Sequence, residues 1–324
     1  MTKLWRGAFF IFSLPKGVYQ LKKDVISLQH LPAADIIHLI KQAVEMKKEP
    51  DKYTNALSGR VLLMLFQKTS TRTRLSFELG IGQLGGRAVM MDWQSSNFAI
   101  SPIRYEAKYV SRHVDLIMAR LIKHEQLLEL AAGADVPVIN GCCNRYHPTQ
   151  GLADLLTIYE KTGDFSRATL AYIGIHNNVA NSLVAGALKT GLRLILITPE
   201  VNPGSWDADL MAAAARSGLI EVTADLQKAR EADFVYTDTW VDMENFHNPA
   251  YAEEKERRLK MMMPYQMRAE IFAGRELPYI MHDMPIHPGL EIEAGLIEAP
   301  TSVIYEQAEN RLHVEKSLML YLLS

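Results

Sequence analysis

Six consecutive apolar residues, Val61-Leu62-Leu63-Met64-Leu65-Phe66, run directly into Gln67-Lys68-Thr69-Ser70-Thr71-Arg72-Thr73-Arg74. An unbroken apolar run of this length reads as a strand buried on both faces, the habit of a parallel sheet. Leu75, Leu79, Ile81 and Leu84 then follow at helical spacing. A strand that ends in hydroxyls and guanidinium groups and then opens a helix is a place to hold a phosphate. Free N–H groups, the positive end of the helix dipole, hydroxyl donors and Arg forks all favour an anion there. The bland alternative is a capped surface helix with solvated arginines. It accounts poorly for Ser70, Thr71, Arg72, Thr73 and Arg74 standing side by side.

The same alternation runs through the chain. Strands are expected over 61–66, 87–91, 116–120 and 136–140, with helices over 33–46, 103–113 and 123–132 between and before them. After Pro148 a helix over 150–161 crosses into a second half. Strands at 169–173, 193–198, 220–222, 234–237 and 279–281 follow, with helices at 179–190, 207–217 and 309–323. The pattern predicts an α/β chain of two doubly wound parallel-sheet domains, with the C-terminal helix packing back on the first domain. The bounds read as an N-terminal arm over 1–24, a first domain over 25–150, a second over 151–306 and the returning helix over 307–324. A length of 324 residues suffices for two cores.

Functional groups gather at strand C-terminal ends, where ligands sit in open α/β sheets. Arg120 closes a predicted buried strand. Burying it is costly without an anion or a carboxylate partner, so it either reaches the phosphate pocket or forms a salt bridge. His147-Pro148-Thr149-Gln150 opens a helix, with proline at its first position. His147 can polarise or protonate an oxygen, and Gln150 can bind an amide or carbonyl. Asp238, Asp242 and Asp283 are each compatible with a cap or a turn, and together they look like a site for a cation. Asn178 can bond the same ligand.

Composition narrows the partners. Lys and Arg number 35 against 37 Asp and Glu, interspersed, for a net charge of −2, which does not favour nucleic acid as the main partner. No run reaches the roughly 18 apolar residues of a membrane span. The apolar stretch Ala8-Phe9-Phe10-Ile11-Phe12 is too short for a secretory leader, so the arm is expected to cover apolar surface, on a neighbouring subunit for example. Cys142 and Cys143 are adjacent, a spacing that suits neither a structural bridge nor a zinc site. Reduced thiols fit a cytoplasmic protein. Nothing in the sequence calls for a metal or an organic cofactor.

Ser70-Thr71-Arg72-Thr73-Arg74 together with His147-Pro148-Thr149-Gln150 resembles the aspartate/ornithine carbamoyltransferase family, from about residue 25 to the end, and the pattern is closer to the ornithine branch. The resemblance implies a carbamoyl phosphate-binding domain followed by an amine-binding domain, in trimers or multiples of trimers with active sites between subunits. It implies that Ser70, Thr71, Arg72 and Thr73 grip the phosphate, that Arg120 joins phosphate and carbamoyl oxygen, and that His147, Gln150 and Arg311 bind the carbamoyl group. Arg72, Arg120, His147 and Gln150 would be catalytic. Asn178 and Asp238 match amine-substrate ligands, and Asp242, Met243, Asp283 and Met284 lie at the corresponding acceptor positions. An amine would attack the carbamoyl carbon and phosphate would leave, with donors aimed at the carbamoyl oxygen lowering the barrier.

The departures fall on the acceptor side. The ornithine pattern Asp-x-x-x-Ser-Met-Gly here reads Asp238-Thr239-Trp240-Val241-Asp242-Met243-Glu244, and His-Cys-Leu-Pro reads His282-Asp283-Met284-Pro285. The loop expected to carry Gly-Glu-Ser reads Ser95-Ser96-Asn97-Phe98-Ala99-Ile100-Ser101-Pro102. Added carboxylates repel an α-carboxylate; a like-charge contact at ~4 Å and an effective dielectric of 20 costs about 4 kcal/mol before screening. The expectation is a carbamoyltransferase whose acceptor is ornithine or a related amine, with a diamine or modified diamino acid best matched to the pocket. The alternative is a non-catalytic relative that binds carbamoyl phosphate or a partner as a regulatory or scaffold subunit.

Overall fold

The computed structural model describes residues 22–241 and 245–324. The expected arm over 1–24 therefore lies mostly outside the described residues, as do Asp242 and Met243. In the first half α1 (Ala33–Lys48) precedes β1 (Val61–Phe66), α2 (Arg72–Gln83), β2 (Arg87–Asp92), α3 (Ile103–Val110), β3 (Leu116–Arg120), α4 (His124–Gly133) and β4 (Val138–Cys142). The strands form one parallel sheet in the order β2-β1-β3-β4. β1 and β3 are buried along their whole length, as the unbroken apolar runs require. β2 is the edge strand and leaves Val89 and Met90 exposed. Val25 extends the other edge by pairing with Ile139.

The crossing helix α5 (Pro148–Thr162) leads to β5 (Thr169–His176), α6 (Asn178–Thr190), β6 (Arg193–Val201), α7 (Ala208–Ser217), β7 (Ile220–Thr223), β8 (Phe234–Thr237), α8 (Ala252–Met262), β9 (Tyr279–His282), α9 (Ala294–Ile297) and α10 (Ile304–Leu323). Its sheet is also parallel, in the order β7-β6-β5-β8-β9. Strand order reverses at β1/β3 in one sheet and at β5/β8 in the other, which opens a crevice beyond the carboxyl ends of each. α10 returns to the first half. Ser317 donates to the Leu39 carbonyl at 2.9 Å, and Lys316 to Gln83 at 3.0 Å.

Two boundaries and one helix differ most from expectation. β4 sits two residues later than the apolar pattern suggested and runs through Gly141, where a Cβ would collide with the Met118 side chain. α10 begins at Ile304 rather than 309. α8 was not anticipated, because its sequence Ala-Glu-Glu-Lys-Glu-Arg-Arg-Leu-Lys-Met-Met buries only Arg258 and Met262 and lacks an apolar stripe.

Candidate active site

Apart from Arg311, which comes from α10, the functional side chains stand near where a strand hands over to a loop or helix. β1 ends in the 67–71 turn, and the Ser70 hydroxyl accepts from Thr73 N at 3.3 Å, shaping the first turn of α2. β3 ends in Arg120. β4 leads to His147, which precedes α5 and whose backbone N–H donates to Ser182 Oγ at 2.8 Å. β5 ends before Asn177, whose side chain caps α6 by accepting from Val179 N and Ala180 N at 3.0 and 3.1 Å. β8 and β9 deliver Asp238 and Asp283.

These ends converge on one tight cleft of about 60 Å³, whose walls include Lys68, Arg72, Thr73, Arg120, His147 and Arg311 on one side. Asn177, Asn178, Asp238, Thr239, Asp283 and Met284 line the other. The first wall is cationic. Arg120 Nη1 and Arg311 Nη2 both donate to Thr73 Oγ1, at 3.4 and 3.2 Å. Arg120 Nε is buried with no partner among the described residues, a donor available to an anion. Arg72 reaches across the cleft and donates to the Met284 carbonyl. Burial lowers the Arg72 pKa, opposed by Asp283 and reinforced by Arg311 and Arg120.

His147 is buried beside this cluster. Burial first, and then Arg311, Arg120, Lys68 and Arg72, hold its pKa well below the ordinary histidine value. It is therefore a neutral imidazole at pH 7, able to donate one N–H bond to an oxygen rather than to carry a charge. Gln150 is buried under the wall and does not line the cleft. Its Oε1 accepts from Arg311 Nη1 at 2.9 Å, and its Nε2 donates to Asp154 Oδ1 at 2.8 Å. Arg311 is further held by Thr149 Oγ1 at 3.1 Å and by Glu315, with Nε and Nη2 at 3.0 and 2.7 Å.

Ser70 and Thr71 line an adjoining cavity of about 750 Å³ together with Leu75, Leu79, Met90 and Asp92. Lys68 is common to both. On the opposite wall, Asn178 Nδ2 donates to the Cys143 carbonyl at 2.7 Å and contacts Cys142 Sγ at 3.2 Å. Asp238 is buried, accepts from Asn177 Nδ2 at 2.6 Å and from Thr239 N at 2.7 Å, and lines the same cleft as Asp283. Burial, and then the like charge of Asp283, push Asp238 well above the usual carboxylate range. Met284 takes φ +63° before the cis peptide to Pro285, and its N–H donates to His282 Nδ1 at 2.8 Å.

The arrangement sets guanidinium donors and a neutral imidazole across one cleft from acidic oxygens. Residues 23–160 match the family model described as "Aspartate/ornithine carbamoyltransferase, carbamoyl-P binding domain", and residues 166–322 match its "Asp/Orn binding domain". This chain belongs to the aspartate/ornithine carbamoyltransferase family. Within the family it is similar to the ornithine carbamoyltransferase of Listeria monocytogenes, 40% identical over 308 residues, covering 93% of this chain and 96% of the relative. Among solved structures it superposes on the ornithine carbamoyltransferase of Pyrococcus furiosus with a TM-score of 0.84 at 36% identity, over 92% of this chain and 96% of that one. It also superposes on an N-acetyl-L-ornithine transcarbamylase with a TM-score of 0.79 at 28% identity, over 93% and 99%. The chain is a carbamoyltransferase, as its two motifs implied. Among the described residues no helix is long and apolar enough to cross a membrane.

Several site residues escaped the sequence reading. Lys68 stood inside the quoted turn but was passed over for its arginines. Asn177 was eclipsed by Asn178. Glu315 and Asp154 each lie four residues beyond a flagged residue on the same helix, Arg311 and Gln150, and that helical spacing was the available signal.

Proposed function

We propose that this carbamoyltransferase moves the carbamoyl group of carbamoyl phosphate to an amine acceptor, a diamine or diamino acid, whose ammonium group is received by Asp238 and Asp283. The observation that carries the reading is the juxtaposition of a cationic wall and an acidic wall across one cleft. On the cationic side Arg72, Thr73, Arg120 and Arg311 bind the phosphate and carbamoyl oxygens, with Ser70 and Thr71 at the mouth. His147 donates to the carbamoyl oxygen as charge builds there. Gln150 acts mainly by orienting Arg311. On the acidic side Asn178, Asp238, Asp283 and Met284 bound the acceptor.

The domain bounds proposed are 25–150 and 151–306, with 307–324 returning; the crossing of α5 and the return of α10 to the first half support them. A trimer in the cytoplasm is the assembly proposed. The exposed Leu75, Leu79, Val89 and Met90 beside the mouth of the site support an intersubunit contact there.

Carbamoyl transfer rates with ornithine, putrescine, diaminopropionate and aspartate test the acceptor. The expected result is a kcat/KM for putrescine, which lacks an α-carboxylate, exceeding that for ornithine by about tenfold, a difference of about 1.4 kcal/mol. Turnover of ornithine alone, at a rate typical of the family, would refute the idea that the added carboxylates alter the acceptor.

A further inference from the structure

We propose that Glu291 is a positioning residue for carbamoyl transfer: one of its oxygens, buried behind the cleft, holds both ends of the 282–287 turn that presents Asp283 and Met284 to the acceptor. This rests on the acceptor wall proposed above, though not on which amine is turned over.

Glu291 is 1% exposed and does not line the cleft. Its Oε1 lies 3.2 Å from His282 Nε2 and accepts from the His287 backbone N–H at 2.5 Å. His287 Nδ1 stands 3.3 Å from the same oxygen. Burial would raise the Glu291 pKa, yet the contacts with His282 and His287 hold it down at about 2. The carboxylate is therefore ionised at neutral pH and can only accept. The His282 ring must then carry its proton on Nε2 and keep a lone pair on Nδ1. That lone pair accepts from the Met284 N–H at 2.8 Å. A side-chain acceptor that bonds the N–H two residues on makes an Asx-type turn. Here an imidazole makes it, and Glu291 selects the tautomer that can.

The turn so fixed carries Asp283, Met284 and Pro285 into the cleft. Arg72 of α2 donates to the Met284 carbonyl, so the turn also meets the anion wall. His287 extends the hold to a second segment. Its ring stacks on Phe246, with centroids 4.5 Å apart and planes 8° apart, and Phe246 belongs to the loop that follows Asp238. Lys255 of α8 stands 3.8 Å from the centre of the Phe246 ring and donates to the Phe246 carbonyl at 2.8 Å. Glu291 itself sits on fixed backbone, because its carbonyl accepts from Met267 N at 2.9 Å and Ile292 beside it is fully buried. The segments that leave β8 and β9 are thus referred to one carboxylate oxygen. A misplacement of about 1 Å can cost on the order of 100-fold in rate, so a group that never touches substrate can govern acceptor turnover.

Steady-state carbamoyl transfer by the full chain, with putrescine and with ornithine, tests this in Glu291→Gln, Glu291→Met and Asp283→Asn. Glu291→Met should lower kcat/KM for the acceptor by about 100-fold and leave KM for carbamoyl phosphate within about threefold of wild type. Glu291→Gln keeps an accepting oxygen and should recover to within about tenfold of wild type. A merely structural loss would lower the urea midpoint and the active fraction without separating the two KM values. Nitrogen NMR of the histidine rings needs no apolar variant. His282, assigned by its disappearance in His282→Asn, should show a protonated Nε2 and a bare Nδ1 at pH 7. A charged or Nδ1-protonated His282 would overturn the role of Glu291. So would unchanged acceptor kcat/KM in Glu291→Met, an equal rise in both KM values, or Glu291→Gln as impaired as Glu291→Met. Loss in Glu291→Met with Asp283→Asn equal to wild type would sustain the positioning through Met284 and sink Asp283 as an acceptor ligand.

Discussion

Replacing Arg311 with methionine keeps much of the side-chain bulk and deletes a guanidinium that makes five hydrogen bonds, to Glu315 twice, Gln150, Thr73 and Thr149. Arg311 is 2% exposed and Glu315 0%. Removing one partner of so buried a pair leaves a carboxyl without its cation, which costs about 3–5 kcal/mol. Burial already raises the Glu315 pKa above 4.5 in the intact protein, with Arg311 opposing it. Without Arg311 the folded-state pKa rises further. A carboxyl whose folded pKa lies above its unfolded value stabilises the protein fully below the unfolded value, and that contribution is lost as pH rises through the folded one. The Arg311→Met deficit should therefore be about 4 kcal/mol at pH 8 and much smaller near pH 4.5.

Urea titration of wild type, Arg311→Met, Glu315→Met and the double variant measures this as a cycle. The double variant removes both charges and should recover most of the loss, since an apolar replacement of a buried pair is often neutral. The reasoning fails if the single variant lies within about 1 kcal/mol of wild type at pH 8, or if the double variant is no more stable than Arg311→Met.

Two other outcomes follow from buried groups. Burial raises Asp154 from 3.8 to about 7 despite donors from Gln307 and Gln150, a shift on the order of 4 kcal/mol. Wild-type stability should fall as pH rises from about 4 to about 7, and Asp154→Asn should flatten that slope in urea midpoints taken across the range. The Cys143 thiol is pushed up to about 11, chiefly by burial, so at pH 8 only on the order of one thiol in a thousand is ionised. Its alkylation by iodoacetamide, followed by mass spectrometry, should track global unfolding rather than proceed from the native state.

The sequence made the strands legible because parallel-sheet burial writes them as runs such as 61–66 and 116–120, and strand ends then located Arg120, Asp238 and Asp283. The handover from strand to helix also revealed the 70–74 turn. What could not be read was the layer beneath the cleft. Gln150 looks like a ligand in sequence, yet its amide is spent on Arg311 and Asp154, because α5 turns its first residues inward against α10. Nothing in a one-dimensional pattern says that Gln307 and Asp154, 153 positions apart, meet at 2.7 Å. α8 was missed because its charges pair locally, with Arg257 and Arg258 on Glu254 at 2.7 and 2.9 Å, rather than displaying a buried face.

That hidden layer explains why the last helix must return to the first domain. Gln307 and Arg311 are one turn apart on α10. Gln307 Oε1 accepts from His282 N at 2.9 Å, beside Asp283, while its Nε2 donates to Asp154 Oδ1 at 2.7 Å. Asp154 accepts from Gln150, Gln150 from Arg311, and Arg311 donates to Thr73 in the phosphate turn. An unbroken run of buried hydrogen bonds therefore joins the loop of the acceptor wall to the turn of the anion wall. In a low-dielectric interior such a run tolerates little slack, since any displaced member leaves its neighbour unsatisfied. The distance between the two walls is therefore set by the buried network and not by the exposed loops, which lets the acceptor-side residues change while the carbamoyl phosphate side keeps its geometry.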